Sequence, residues 1–204
     1  MKHVIFLITF SFSLLSAAAN AATIVIDFDD NSSGGQFNTP QFEDGFVIDP
    51  ALAPFDPVIA QVAGGNGTQA LLFCGWCGDT TEGVSIYSQT GLTFELDSLD
   101  VYSNTDFTTE DFPGAGTVTG YLQGGGTITK GISATLGIET IFFDDTWQNL
   151  SSIDIEFEVS SFNTFGLSPV LDNITLQAVP VPAAVWLFGS ALAGLGFMRR
   201  KQTA

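Results

Sequence analysis

Between residues 151 and 162 the chain reads SSIDIEFEVSSF. Ile153, Ile155, Phe157 and Val159 alternate there with Asp154, Glu156 and Glu158. A strand turns successive side chains to opposite faces, so this order puts the apolar groups on one side and the carboxylates on the other. A helix would scatter the same residues around its circumference. One face must be buried and the other wetted, which is the signature of an antiparallel strand.

The rest of the body follows the same rule. TIVIDFD (Thr23 to Asp29) sets Ile24, Ile26 and Phe28 against Val25, Asp27 and Asp29. LTFELDSLDVYS alternates less cleanly but is rich in strand formers. GTVTGYLQ offers Val118 and then Tyr121 or Leu122 to a core, and LDNITLQAV closes the body. Glycine clusters at Gly34-Gly35, Gly64-Gly65 and Gly124-Gly125-Gly126 mark turns. The segments Asn31 to Gln41 and DPALAPFDPVIAQ are the least regular, and no part of the body has a helical period. About ten short strands predict an all-β, antiparallel two-sheet sandwich of the jelly-roll kind.

Both ends differ in kind from this body. MKHVIFLITFSFSLLSAAANAA has a basic start at Lys2, an apolar stretch from Val4 to Leu15 and the small-x-small pattern Ala19-Asn20-Ala21. That layout predicts a secretory signal peptide over residues 1–21, cut after Ala21. The stretch from Val179 to Met198 holds 20 residues without a charge. As a helix such a length spans ~30 Å, the thickness of a bilayer's hydrocarbon core. Pro180 and Pro182 form a rigid entry, and the helix is expected to begin near Ala183. Arg199, Arg200 and Lys201 would hold its end on the cytoplasmic side. The predicted organisation is a signal peptide (1–21), a sandwich domain (22–178) and a C-terminal sorting segment (179–204) with a transmembrane helix in the precursor.

VPVPAAVWLFGSALAGLGFMRRK resembles a PEP-CTERM sorting signal: a Pro-x-Pro motif, an apolar helix and an Arg-rich end. The named motif has Glu between the prolines where this chain has Val181; a version with an apolar residue followed by Ala-Ala also occurs in the family. The resemblance covers residues 179–201 alone. It implies a Gram-negative bacterium, transient engagement of an exosortase in the inner membrane through Pro180, Val181, Pro182, Arg199, Arg200 and Lys201, and removal of the tail. The released protein is then expected at the cell surface or in an exopolysaccharide matrix.

Charge narrows the partners. Of the five Lys and Arg residues only Lys130 lies in the body, His3 is the only histidine, and all 22 acids lie between the two ends. With 22 acids and one base the body carries a net charge of −21. Such a chain repels nucleic acid and anionic lipid. It is no disordered acidic tail, because 14 phenylalanines between residues 28 and 165 supply a core. About 157 residues suit one domain. A histidine-free body excludes Ser-His-Asp and Cys-His catalysis and histidine-based zinc or copper sites.

The remaining candidates are few. Cys74 and Cys77 in FCGWCGD follow a strand-like run with no helix after them, and neighbouring acids would raise a thiol pKa. The preferred reading is a small structural disulfide formed on export, the other a redox pair. Paired acids at Asp144-Asp145 or Glu110-Asp111 could serve a glycosidase, which needs two carboxylates roughly 5–9 Å apart. Calcium is a better use of acids, because it takes oxygens from carboxylates, amides and carbonyls. DFDDN places Asp27, Asp29, Asp30 and Asn31 at the first strand, LDNI places Asp172 and Asn173 at the last, and in a jelly roll those strands often lie together. In this layout the body loosely resembles carbohydrate-binding-module sandwiches, in which calcium bridges the terminal strands. Sugar stacking would need exposed rings, available at Trp76, Tyr87, Tyr102, Tyr121 and Trp147. Trp76, in the glycine-rich cysteine turn, is the first choice, and Trp147 is expected to pack between sheets.

Three readings follow. The first is a non-enzymatic exported matrix protein that binds exopolysaccharide with calcium. The second is a secreted polysaccharide hydrolase using two acids. The third is a structural or adhesive matrix protein without a specific ligand.

Overall fold

A computed structural model describes residues 22–29, 35–36, 39–52, 58–61, 68–73, 80–104, 114–135, 137–159 and 168–178. They contain β1 (Ala22–Ile26), β2 (Gly35–Gln36), β3 (Gln41–Glu43), β4 (Phe46–Asp49), β5 (Val58–Gln61), β6 (Gln69–Leu72) and β7 (Thr80–Ser88). After these come β8 (Phe94–Asn104), β9 (Gly114–Leu122), β10 (Thr127–Ala134), β11 (Glu139–Phe142), β12 (Leu150–Val159) and β13 (Ser168–Ala178). A single 3₁₀ turn, Pro50–Leu52, is the only helical element among the described residues. No helix among them is long and apolar enough to cross a membrane. The predicted signal peptide and the predicted C-terminal helix lie outside the described residues.

The described residues are all-β, and each strand pairing among them is antiparallel. The 13 strands exceed the expected ten because several, such as Gly35–Gln36 and Gln41–Glu43, are too short to show a period. One half of the sheet runs β3-β4-β7-β12-β9-β10. The other runs β2-β5-β6-β13-β8-β11, with β1 also on β13. Where two separate sheets are expected, the structure joins the halves at one pair, Leu150 opposite Phe94, which makes the sandwich nearly barrel-like.

The inward residues of both halves form one apolar cluster, as the period-two patterns require. Ile153, Ile155 and Phe157 of β12 and Val84 and Ile86 of β7 meet Leu99 and Val101 of β8 and Leu171, Ile174 and Leu176 of β13. Phe46 and Phe94 meet edge to face with centroids 5.2 Å apart, and Phe73 lies 5.4 Å from Phe157. Trp147 is buried in this cluster, as predicted. Of the GTVTGYLQ alternatives, Leu122 packs against the core and Tyr121 faces outward.

The untidy alternation of LTFELDSLDVYS also has a cause. The β8–β13 register shifts twice, between Asp172 and Thr175 and between Thr175 and Leu176. Each shift inserts a residue and resets the face, so the core positions step from Leu96 to Leu99 on β8 and from Leu171 to Ile174 on β13. Asn173, at φ 47, occupies the first irregularity. Asparagine tolerates that left-handed conformation better than most residues.

Candidate binding surfaces

The first and last strands pair, as the calcium reading requires: β1 runs antiparallel to β13 with Ile26 opposite Ile174. Asp27 and Asp29 therefore leave β1 beside the start of the β13 irregularity. Phe28 lies between them at φ 60 with its ring fully buried. That backbone is fixed by Glu43, whose Oε1 accepts the N–H of Asp27 at 2.8 Å and of Phe28 at 2.9 Å. Burial pushes the Glu43 carboxyl up to about 7, against the two hydrogen bonds, with Asp27 and Asp44 adding repulsion.

Asp172 is 1 % exposed and sits directly opposite Asp100 across the β13–β8 ladder. Its Oδ1 accepts the N–H of Asn173 at 2.8 Å, and Thr68 donates to Oδ2 over a long 3.5 Å. Burial raises its carboxyl to about 6; the Asn173 hydrogen bond opposes this, and Asp100, Asp29 and Asp27 add to it. Next to Thr68, the N–H of Gln69 donates to Asp29 Oδ1 at 2.8 Å, so two consecutive residues hold the two acids. The side chain of Asn173 is committed to Asp100, donating from Nδ2 at 2.9 Å. Tyr102 is buried, its hydroxyl has no hydrogen-bond partner among the described residues, and its phenol is raised to about 12 by burial and by Asp172 and Asp100.

Of the predicted calcium residues, Asp27, Asp29 and Asp172 are thus brought within reach of one another's charge, and Asn173 points to Asp100. Asp30 and Asn31 lie outside the described residues. Among the described residues no group of three or more His, Cys, Asp or Glu side chains is arranged to hold a metal ion. Cys74, Trp76, Cys77, Glu110, Asp111 and the sorting-motif residues Pro180, Val181, Pro182, Arg199, Arg200 and Lys201 lie outside the described residues as well.

Asp144 has a structural occupation. Its Oδ1 accepts the Thr146 N–H at 3.0 Å and the Thr146 hydroxyl at 2.5 Å, closing a turn. Those bonds hold its carboxyl below the usual range. A glycosidase acid needs the opposite shift.

A second surface emerges from the strand register. Directly opposed residues share a face, so Phe42, Val47, Tyr87, Ser152, Tyr121 and Thr127 form one row across six strands on the side away from the core. The next row is Asp49, Ser85, Asp154, Thr119 and Thr129. Asp154 ties the face together: its Oδ1 accepts the Ser85 hydroxyl at 2.5 Å and its Oδ2 the Tyr121 hydroxyl at 2.7 Å. Tyr87 donates to Asp49 Oδ2 at 3.5 Å. Each tyrosine thus reaches over a neighbouring strand, and both lean the same way. Val47, although on the outer face, is 6 % exposed, as expected where the Tyr87 ring leans across β4. Phe42 is 66 % and Tyr121 37 % exposed. Beyond these rows, Thr81, Thr117, Glu156 and Glu158 line an open depression of about 300 Å³. The only base near this half, Lys130, faces away and donates to the Phe142 carbonyl while lying 4.9 Å over the Phe143 ring.

Tyr87 and Tyr121 are among the rings the sequence offers; the register sets both on the outer face of their half, whereas Tyr102, on the face of β8 away from Val101, is buried in a second small cluster with Ala70 and Val170.

No family model matches the chain, and no curated protein matches it. Several solved structures resemble it in chain course, carbohydrate-binding modules prominent among them. The CBM22-1 xylan-binding domain of Xyn10C from Paenibacillus barcinonensis is 16 % identical with a TM-score of 0.43, over 81 % of this chain and 99 % of that one. The family 32 module of NanJ from C. perfringens, solved with galactose, is 12 % identical with a TM-score of 0.42, over 67 % of this chain and 98 % of the module. An arabinose-bound α-L-arabinofuranosidase is 15 % identical with a TM-score of 0.46 over 76 % of this chain, which spans only 26 % of that enzyme.

Proposed function

We propose that this protein is an exported, non-catalytic polysaccharide-binding protein of jelly-roll type, delivered by its two hydrophobic ends and acting at the cell surface or in the extracellular matrix. The observation that carries this reading is the outer face of β3-β4-β7-β12-β9-β10. It combines exposed aromatic rings, hydroxyls and carboxylates on a rigid sheet with no basic group. Sugars present hydroxyls that donate to carboxylates, in charge-assisted bonds, and apolar C–H faces that cover aromatic rings. The predicted signal peptide and exosortase-type tail supply the route.

Calcium belongs to the same reading. Asp172 and Asp29, with Thr68 and Tyr102 nearby, would hold the ion between the terminal strands. The fit rests on a buried carboxylate whose charge is opposed by its surroundings and on a buried hydroxyl without a partner. Bound there, the ion would supply the positive charge this end lacks.

The test is retention of the full chain on immobilised neutral polysaccharides, with calcium and with chelator. Retention is the expected result; failure to bind any glycan in either condition removes the reading.

A further inference from the structure

Resting on that reading, we infer that the ligand is a neutral, extended glycan lying across the strands, with alternate sugars stacked on Phe42, Tyr87 and Tyr121. The three rings occupy one register row on β3, β7 and β9, each two strands from the next. Strands lie about 4.8 Å apart, so neighbouring rings are separated by about 10 Å. That interval matches two pyranose units of an extended chain rather than one.

The orientation of the rings supports stacking. A tyrosine that stood upright on its strand could not bond a residue on the neighbouring one. Tyr121 on β9 reaches Asp154 on β12, and Tyr87 on β7 reaches Asp49 on β4. Both reach in the same direction and one row along, so both side chains lie across the sheet instead of standing upright on it. Phe42, the most exposed of the three, ends the row at the sheet's edge strand. Between the rings, Ser85, Thr119, Asp154 and Glu156 offer hydroxyl and carboxylate oxygens to the intervening sugars.

Charge fixes the class. Asp49, Asp154, Glu156 and Glu158 share this half's outer surface, and the body carries one base against 22 acids. Uronic-acid or sulfated chains would be repelled, and an uncharged chain would not.

The experiment is a titration of the full chain with β-1,4-linked glucose, xylose and galactose oligosaccharides of graded length, and with polygalacturonate as the anionic counterpart. Affinity for the matching neutral series should rise in steps of two sugars. Phe42→Ala and Tyr121→Ala should each weaken long oligomers about tenfold and leave the shortest unchanged. Tyr121→Phe keeps the ring but releases the hydrogen bond, and should lose less than Tyr121→Ala. Unchanged melting temperatures for these exposed substitutions exclude misfolding as the cause. Neutral glycans that bind equally well to all three variants would overturn the platform while leaving glycan binding intact. Preference for polygalacturonate would overturn the neutral class. Absence of all binding would overturn both this inference and the reading beneath it.

Discussion

Asp172 and Asp100 face each other directly across the β13–β8 ladder, two carboxylates where an antiparallel sheet favours opposite charges. Hydrogen bonds from Asn173 and Thr140 satisfy Asp100, at 2.9 and 2.6 Å, whereas among the described residues Asp172 accepts the Asn173 N–H and a long contact from Thr68. The strain is concentrated on the buried partner, and its consequences are measurable.

Acid should stabilise this protein. Asp172 rises from an ordinary 3.8 to about 6 and Glu43 from 4.5 to about 7 on folding. Between pH 4 and 7 the folded state therefore holds more protons than the unfolded one, so stability falls as pH increases through that window. Thermal melting across this range should give its highest Tm near the acidic end. Asp172→Asn and Glu43→Gln should each flatten the slope; a Tm that climbs from pH 4 to 7 would refute the assignment.

Calcium should act in the opposite direction. A cation held by Asp172 and Asp29 competes with protons, so its effect on Tm should be larger at pH 8 than at pH 5 and absent in Asp172→Asn. Melting of a metal-stripped sample with added calcium or EDTA measures this. Identical Tm values in both would remove the ion from the terminal strands.

Packing in this half is tight at Gly83, Gly116 and Gly120, and Gly116 gives the cleanest test. A β-carbon on Gly116 would meet the Phe157 ring at 2.6 Å, whereas one on Gly131 would meet nothing within 4 Å. Gly116→Ala should cost about 1–3 kcal/mol by overpacking, and Gly131→Ala should be close to neutral. Phe157→Leu in the Gly116→Ala background should recover part of the loss, read as a denaturant midpoint in a double-mutant cycle. Additive effects would show that the ring is not the obstacle.

The share of this that the sequence discloses follows from period and length. The alternation Ile153-Ile155-Phe157-Val159 marks β12 without ambiguity, because four successive positions of the sequence pattern agree. In β8 the step from Leu96 to Leu99 breaks the period, since the register shift between Thr175 and Leu176 of β13 cannot be seen from one strand alone. Gly35–Gln36 exists as a strand because its partner holds it, not because of its own residues. The pairing of first and last strands was legible, and with it the closeness of Asp29 to Asp172. Glu43 was not: nothing in QFEDGF distinguishes a buried acid that clamps Phe28 from a wetted one. Tyr102 and Tyr121 both lie in strand-forming stretches and both point away from the main core; only the packing of Ala70, Leu72 and Val170 around Tyr102 separates the buried ring from the exposed one.

Export has its own signature. The protein recovered from the culture medium of its host should lack residues 1–21 and the segment beginning near Val179, and should weigh two hydrogens less than its sequence if Cys74 and Cys77 are joined. Intact mass measurement reads all three. A full-length precursor in the cytosol would contradict the delivery route.

The central claim is that the outer face of β7-β12-β9 receives the glycan. Hydrogen exchange of the full chain, with and without a saturating neutral oligosaccharide, locates the ligand most directly. The account predicts added protection at Tyr87, Asp154 and Tyr121 and their strand neighbours. Protection confined to β6, β8 and β13, on the opposite half, would contradict it.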